Sequence, residues 1–492
     1  MDKHHDKVGA DGQLKLLGRR RSEIPDAERL EAFQGKLYQK AKQEKKFRFY
    51  VLYDKMFVPY ILRESWRRVK QNGGSPGVDK VSIKDVEEYG VGKYLEELGE
   101  ELRSRRYRPK AVKRVMIPKA NGGERPLGIP TVKDRIAQTA CKLILEPIFE
   151  ADFEESSHGF RPKRSSKNAM TAIKTHLKEG KTEVLDADLS KYFDTIPHDK
   201  LMIAIGERVS DPRILKLIKS WLKVPIFEDG QFKGGKRNNR GTPQGGVISP
   251  LLANVYLHLL DRIINNPGSL FHQHGVKIVR YADDFVLMGK SIPKTVTDQL
   301  TKLLSRMGLA LNGDKTRKVE ATEMSFDFLG FTVRYSRDLF VKDKKYWEIM
   351  PSKKSEQKVR EKVRIFLDNH GHSPAKETAD GLNAIIRGWL NYFIIEGVSY
   401  SQVSKRRLRH YLSTKLYRYF NRKSQRKCRL YRQKAFDLLV NQYGLIDPTK
   451  YTLHRLPVNA NEEVFRKAVC GKTTRTLCNP LNREQNIINT FF

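Results

Sequence analysis

Two adjacent aspartates, Asp283 and Asp284, separate two short apolar runs in the segment KIVRYADDFVLMG. The runs KIVRY and FVLM are rich in β-branched and aromatic residues, which favours two strands joined at or near the acids. A tight hairpin would hold both carboxylates at its tip, on a rigid base. Neighbouring carboxylates repel each other unless a cation neutralises them, and oxygen ligands of this kind suit Mg²⁺. These residues alone are equally consistent with a metal site and with a solvated acidic turn.

A second acidic segment, EVLDADLSKYFDTIPHDK, precedes the first in the chain. The run VLDADL has strand character and ends in acids, as the hairpin does. Asp188 could therefore bring a third carboxylate to the same place, and Asp186 would share its strand face. Three acids on neighbouring strands can hold two divalent ions about 3.5–4 Å apart, an arrangement suited to in-line phosphoryl displacement. Either segment alone could still be a surface strand end.

The charge of the chain indicates a polyanionic partner. Lys and Arg number 94 against 57 Asp and Glu, a formal net charge of +37, and nucleic acid is the commonest partner of such a protein. The runs 103–119 and 405–434 contain no acid, and the second interleaves its cations with aromatic residues. A basic run is usually a solvated face, but this pattern fits phosphate contact combined with base stacking.

The four cysteines are far apart and form no CxxC pair, which argues against a disulfide framework and a zinc finger. No apolar stretch approaches the length of a membrane span, and the first residues resemble no signal peptide. We therefore expect a cytoplasmic, reduced protein that has no membrane contact.

Two further segments supply groups that could hold a nucleotide. IPKANGGERPLGIP presents Lys119 and Arg125 across a Gly-rich turn, a pairing suited to a triphosphate. RGTPQGGVISPLLAN runs from a Gly/Pro-rich loop into a helix capped by Ser249, and Gln244 could hydrogen-bond near a sugar and phosphates. An ordinary basic hairpin and a plain helix entry are the alternatives.

Composition divides the chain into four parts. Residues 1–70 predict a basic N-terminal extension, 71–340 a mixed α/β domain, and 341–440 a basic helical domain with two apolar stripes, whereas 441–492 carry little signal. One stripe runs from Leu382 to Phe393 and the other from Leu408 to Phe420. Arg406, Arg407 and Arg409 lie largely off the second stripe and predict a basic face.

The order of motifs resembles a known family. In sequence, IPK…RPLGIP, HGFRPKRS, DADLSKYFD, GTPQGGVISPLLAN, YADD, LALNGDKT and FDFLGF are similar to the full motif set of a reverse transcriptase, in the form found in bacterial group II intron reverse transcriptase/maturases. The match covers about residues 70–395, and RGWLNYF resembles the maturase or thumb domain. The resemblance implies an α/β (α+β) right-hand polymerase, with fingers and an antiparallel palm sheet over 71–340 and an all-α thumb/maturase domain over 341–440.

The resemblance also implies roles for individual residues. Asp188, Asp283 and Asp284 would be catalytic, and Asp188, Asp283 and the Leu189 carbonyl would bind two Mg²⁺ ions, which Mn²⁺ can replace. The substrate dNTP would meet five side chains with separate tasks: Lys119 and Arg125 at the triphosphate, Gln244 at the incoming nucleotide, Phe193 as the gate against a ribose 2′-hydroxyl, and Lys315 near the leaving pyrophosphate. Nucleic acid would contact Arg161 and Arg164 through template backbone, and Arg406, Arg407 and Arg409 through the helical domain.

The expected function is that of an intron-encoded RNA-directed DNA polymerase that also assists splicing and retrohoming. Its partners would be intron RNA, an RNA template/DNA primer duplex, target DNA and dNTPs. Many relatives end in a zinc-stabilised HNH endonuclease, for which this sequence has neither paired cysteines nor room. The segment 441–492 is left as a possible DNA-binding region. Two alternatives stay open: a splicing cofactor that only binds RNA, and a free-standing reverse transcriptase used in repair or defence.

Overall fold

The central sheet is antiparallel throughout. The computed structural model describes residues 24–118, 123–235, 238–338, 341, 343, 345–422, 430 and 432–453. In this part of the chain the central sheet has the order β6-β7-β3-β8, and each neighbouring pair is antiparallel. Its strands are β3 (Glu183–Ala187), β6 (Lys277–Tyr281), β7 (Asp284–Gly289) and β8 (Arg317–Glu320). The predicted antiparallel palm sheet is confirmed.

The described chain forms two further sheets, one of four strands and one of three. One has the order β2-β1-β4-β5, in which β1 pairs antiparallel with β2 and parallel with β4. The other has the order β11-β10-β9. The bounds are β1 (Val112–Pro118), β2 (Glu124–Ile129), β4 (Pro225–Glu228), β5 (Gln231–Gly234), β9 (Phe326–Phe328), β10 (Phe331–Arg337) and β11 (Lys345–Pro351).

Helices surround these sheets, and after β11 the described chain contains helices and connections alone. No described helix is long and apolar enough to cross a bilayer. The bounds are α1 (Asp26–Gln43), α2 (Pro59–Asn72), α3 (Ile83–Tyr89), α4 (Val91–Arg103), α5 (Val132–Glu150), α6 (Ser166–Lys178), α7 (Tyr192–Thr195), α8 (His198–Gly206), α9 (Pro212–Leu222), α10 (Ser249–Asn265), α11 (Leu270–Gln273), α12 (Lys294–Arg306), α13 (Lys353–Asn369), α14 (Ala375–Phe393), α15 (Gln402–Arg422) and α16 (Ala435–Tyr443).

The first hydrophobic core is built around α5 and takes in the N-terminal helices. Leu30 and Ala41 of α1 and Ile61 of α2 are buried in it, and the Gln34 side chain donates to the Leu143 carbonyl at 2.7 Å. The described residues of the N-terminal part thus pack into this core, and the predicted division of the chain after residue 70 stays a prediction. The apolar residues of α1, among them Leu30, Phe33 and Leu37, pack inward at helical spacing.

The second core joins the other face of the central sheet to the C-terminal helices. Val184, Val286 and Met288 of the sheet pack with the apolar faces of α13–α16, and both predicted stripes are buried along α14 and α15. The predicted domain boundary after residue 340 falls inside the β10–β11 hairpin, which pairs from Phe331↔Pro351 to Arg337↔Lys345. The hairpin belongs to one core, and the predicted division after residue 340 stays a prediction.

Candidate active site

The YADD segment is a β-hairpin with a two-residue loop. Tyr281 at the end of β6 pairs with Asp284 at the start of β7, which leaves Ala282 and Asp283 as the turn. Ala282 has a φ of 58°, the left-handed conformation that a II′ hairpin turn requires at its first position, where glycine is normally preferred. The predicted hairpin is confirmed, and it presents Asp283 from its tip.

The register of the central sheet brings Asp188 to the same end. β3 lies beside β7, and Ala187 pairs with Phe285. One position closer to this end of the sheet, Asp188 after β3 comes opposite Asp284 of β7. Their two carboxylates therefore lie side by side. Asp188 is fixed from behind, because the Asn312 backbone N–H donates to its carbonyl at 2.8 Å.

The carboxylates at this end of the sheet repel one another. Asp284 keeps solvent access, yet desolvation by the surrounding protein and then the charges of Asp283, Asp188 and Asp186 raise its pKa to about 7. Desolvation, supported by the Asp188 charge, also raises the pKa of Asp186 to about 6, against the opposing effect of Arg317. The site therefore favours binding of positive charge.

One protein cation already lies there. The Lys315 ammonium is 3.1 Å from Oδ2 of Asp188, and its charge opposes the rise in the pKa of Asp284. Within the described ranges no three His, Cys, Asp or Glu side chains stand close enough to form a ready-made metal site. The side chains available are nevertheless all hard oxygen donors, and their mutual repulsion is what a divalent cation relieves. The donor set therefore fits such a cation.

Leu189 can add a backbone ligand. It forms an isolated antiparallel bridge with Leu311. The two hydrogen bonds of that bridge run from Ser190 to the Ala310 carbonyl and from Asn312 to the Asp188 carbonyl. Neither bond uses the Leu189 carbonyl, which leaves this bridge compatible with the predicted ligand role.

The loop that carries Gln244 is attached to the segment that carries Phe193. The Thr242 backbone N–H donates to the Phe193 carbonyl at 2.7 Å, and Nε2 of Gln244 donates to Oδ2 of Asp194 at 3.3 Å. Phe193 is half-buried and packs edge-on against the buried ring of Tyr192. The structure thus brings the predicted gate and the predicted nucleotide contact onto one wall, next to the acids.

The β1–β2 hairpin touches the same loop. The Gly128 backbone N–H donates to the Gln244 carbonyl at 2.5 Å, and a Cβ on Gly245 would lie 2.1 Å from the Gly128 carbonyl oxygen. Only a residue without a side chain fits this approach. Lys119 and the Arg125 side chain lie outside the described residues, so their predicted triphosphate contact stays a prediction.

The structure places the Arg161 side chain inside the fold, and its predicted template contact stays a prediction. Its side chain is 2% exposed and pairs with Glu150 at 2.8 Å, while Nη1 donates to the carbonyls of Glu154 and Ser157. The Glu150 carboxylate and the carbonyls of Phe153, Glu154 and Ser157 thus occupy the donors of this guanidinium. Arg164 lies closer to the surface, 19% exposed, and pairs with Glu155 at 2.6 Å.

The three arginines of α15 are all exposed. Arg407 lies 3.4 Å from Glu356, and Arg409 lies 3.2 Å from Asp447 and 3.5 Å from Asp437. Arg406 has no ion pair within the described part of the chain. Exposure is compatible with RNA contact, which stays a prediction for all three.

Sequence reasoning missed two contributors to the site. Asp194, in the second acidic segment, accepts a hydrogen bond from Gln244. Arg280, next to the YADD segment, was passed over, although it is fully buried behind the turn. A charged residue inside an otherwise apolar strand run was the available signal, since arginine is rarely buried unless it is paired.

Two family models match the chain. Residues 117–333 match the model described as reverse transcriptase (RNA-dependent DNA polymerase), and residues 356–436 match the maturase-specific domain of group II introns. The first range contains all four carboxylates of the sheet end, and the second spans helices α13 to α15.

Curated relatives agree with these matches. Protein YkfC of Escherichia coli is 36% identical over 308 residues, 55% of this chain and 80% of that protein. The group II intron-encoded protein LtrA of Lactococcus lactis is 30% identical over 325 residues, 65% of this chain and 52% of LtrA. The putative COX1/OXI3 intron 1 protein of Saccharomyces cerevisiae is 29% identical and covers 49% of this chain and 34% of that protein. The chain thus spans about half of LtrA and less of the yeast protein. It belongs to the family of group II intron-encoded reverse transcriptases and maturases.

Proposed function

We propose that this protein is the RNA-directed DNA polymerase of a group II intron, and that it also binds the intron RNA to assist splicing and retrohoming. The observation that carries the polymerase half is the meeting of Asp188, Asp283 and Asp284 at one end of the central sheet. The maturase-specific match over 356–436 supports the splicing half. Its substrates would be dNTPs and a primer on an RNA template, with intron RNA and target DNA as partners.

Asp188, Asp283 and the Leu189 carbonyl would hold two Mg²⁺ ions, or Mn²⁺ in their place. When bound, the ions activate the primer hydroxyl and neutralise the leaving pyrophosphate. Asp284 adds negative charge beside them. Desolvation, and then repulsion from the neighbouring carboxylates, raises its pKa to about 7, and a bound cation would offset the repulsion. Polymerisation would therefore depend on divalent cations, as in the reverse transcriptase family.

The surrounding side chains would position the nucleotide. Phe193 would exclude a ribose 2′-hydroxyl, and Gln244 would contact the sugar from the loop bonded to the Phe193 carbonyl. Lys119 and Arg125 would bind the triphosphate. Lys315, now 3.1 Å from Asp188, would donate a proton to the pyrophosphate once a metal ion neutralises that carboxylate.

The basic face of α15 would bind RNA through Arg406, Arg407 and Arg409. The exposed ring of Tyr417, 47% accessible, lies further along the same helix and offers a stacking surface for a base. A protein that only binds RNA would not need the acids of the sheet end, so their presence favours the polymerase over the pure splicing cofactor.

Two variants separate these activities. We expect Asp283→Ala to abolish primer extension on an RNA template while intron RNA binding is retained. The triple change of Arg406, Arg407 and Arg409 to glutamine should weaken intron RNA binding and splicing, and it should reduce the slope of log K against log salt by about 1 per lost phosphate contact.

The matched control removes the same charge elsewhere. Lys294, Lys302 and Arg306 are exposed on α12, and changing all three to glutamine should leave the salt slope for intron RNA unchanged. Equal weakening by both triple variants would show that net charge, rather than the α15 face, governs binding. Normal primer extension by Asp283→Ala would overturn the polymerase assignment.

A further inference from the structure

Arg280 of β6 lies fully buried directly behind the YADD turn. Every N–H of its guanidinium has an acceptor. Nε and Nη2 donate to the Asp261 carboxylate, with the Nε bond at 2.8 Å. Nη1 donates to the Asn254 side-chain oxygen at 2.9 Å and to the Ala282 carbonyl at 2.8 Å, and Nη2 also donates to the Ser157 hydroxyl at 2.7 Å.

The Ala282 carbonyl is the acceptor that connects this network to the YADD turn. Ala282 holds a φ of 58°, a conformation that residues with a Cβ rarely adopt and that persists only where the surroundings enforce it. The hydrogen bond from Arg280 holds the orientation of the peptide group between Ala282 and Asp283. The direction in which the Asp283 side chain leaves the turn is therefore set by Arg280.

Two other segments hold the turn in the same position. The Asn254 side-chain N–H₂ donates to the Gly159 carbonyl at 2.7 Å, and a Cβ on Gly159 would lie 2.3 Å from the Ala282 nitrogen. The backbone of residues 158–160, the HGF segment, is thus in contact with the turn. Through Ser157, Asn254 and Asp261, one guanidinium ties this segment and α10 to the turn that carries a catalytic carboxylate.

Arginine is the one side chain that can make this set of bonds. It offers five donors in a planar fork, whereas lysine offers three on a flexible stem. An Arg280→Lys chain keeps a cation beside Asp261 but cannot reach Asp261, Asn254, Ser157 and Ala282 together. This substitution therefore removes the fixed set of hydrogen bonds and keeps the positive charge.

We propose that Arg280 is a positioning residue that fixes the Asp283 turn in its metal-binding orientation. The inference rests on the proposed polymerase function, and it goes further by assigning metal affinity and turnover to a residue that touches neither metal nor substrate. Loss of Arg280 should let Ala282 relax towards negative φ, which moves Asp283 while the nucleotide wall formed by Phe193 and Gln244 stays in place.

Arg208 supplies a matched control. It is also buried, 4% exposed, pairs with Asp152 at 2.9 Å, and donates to the carbonyls of Ala41 and Glu44. It ties α1 to the first core and contacts no part of the YADD turn. Arg208→Lys should reproduce the general loss of stability caused by disturbing a buried arginine.

The experiment measures Mn²⁺ binding by electron paramagnetic resonance, using full-length protein with a dideoxy-terminated primer, an RNA template and the next dNTP. Primer extension on an extendable primer then gives kcat and the KM for dNTP. For Arg280→Lys we expect Mn²⁺ binding at least tenfold weaker, a kcat at least tenfold lower that excess Mn²⁺ partly restores, and a dNTP KM within twofold of the original. For Arg208→Lys we expect no change in any of the three.

Ser157→Ala removes a single acceptor and keeps the inference testable if Arg280→Lys does not fold; it should weaken Mn²⁺ binding in the same direction by a smaller factor. Unchanged Mn²⁺ binding in both folded variants, or an equal loss in Arg208→Lys, would overturn the positioning role. An original chain that extends no primer on any template would instead refute the proposed function, so the two failures are distinguishable.

Discussion

Acidification should destabilise the fold through His158, the first residue of the HGFRP motif. His158 is 4% exposed, and neither ring nitrogen has a hydrogen-bond partner within the described part of the chain. Burial, followed by the charges of Arg164, Arg161 and Arg280, lowers its pKa from 6.5 to about 3. In the folded protein the ring therefore stays neutral at any pH above about 3.

The direction of this pH effect follows from the linkage between proton binding and unfolding. The unfolded chain protonates His158 below its pKa of 6.5 and the folded chain does not, so unfolding takes up a proton between 6.5 and about 3. The stabilisation is complete above 6.5 and is lost as the pH falls. Going from about pH 7.5 to about pH 5.5 should lower the free energy of unfolding by roughly 1.4 kcal/mol through this residue.

The assay is urea denaturation followed by tryptophan fluorescence at both pH values, for the original chain and for His158→Leu. Leucine is of similar volume and does not titrate, so the difference between the two pH dependences isolates His158 whatever the absolute stability of the variant. We expect His158→Leu to lose about 1.4 kcal/mol less than the original chain. An identical pH dependence in both proteins would refute the assignment of a buried neutral imidazole.

Three further outcomes are expected. Phe193→Ala should admit ribonucleotides, seen as a fall in the ratio of kcat/KM for dNTP over rNTP; unchanged discrimination would remove the gate role. Gly159→Ala should cost about 1–3 kcal/mol of stability and reduce DNA synthesis, because its Cβ would lie 2.3 Å from the Ala282 nitrogen; normal stability and rate would contradict the close contact. Binding to RNA should fall steeply between about 50 and 200 mM salt, and a flat response would exclude phosphate contact as its main source.

The elements that sequence predicted well are those whose local pattern and tertiary role agree. The YADD hairpin has two β-prone runs with a turn between them, so the pairing of its two strands could be predicted from the local pattern. The stripes of α14 and α15 were readable for the same reason, because helical spacing of apolar residues directly determines the buried face.

Charged residues were the hardest to place, because sequence does not reveal whether a charged side chain meets water or a buried partner. Arg161 sits in a basic motif and was assigned to the template, but Glu150 lies eleven positions away on α5 and neutralises it inside the fold. Arg280 was overlooked because its partner Asp261 lies on a helix whose packing against β6 no local pattern shows. In α1 charged residues alternate with the apolar residues that pack into the core, and composition alone did not reveal that packing.

The assignment of the acids at the sheet end to catalysis is tested most directly by single-nucleotide incorporation on an RNA template with Mg²⁺. The original chain should extend the primer, and Asp283→Asn should lose about 10³-fold or more in rate, since several kcal/mol of charge stabilisation are removed. Asp298→Asn, a change of the same kind on the exposed face of α12, should leave the rate unaltered. Incorporation by Asp283→Asn at the rate of the original chain would contradict the account.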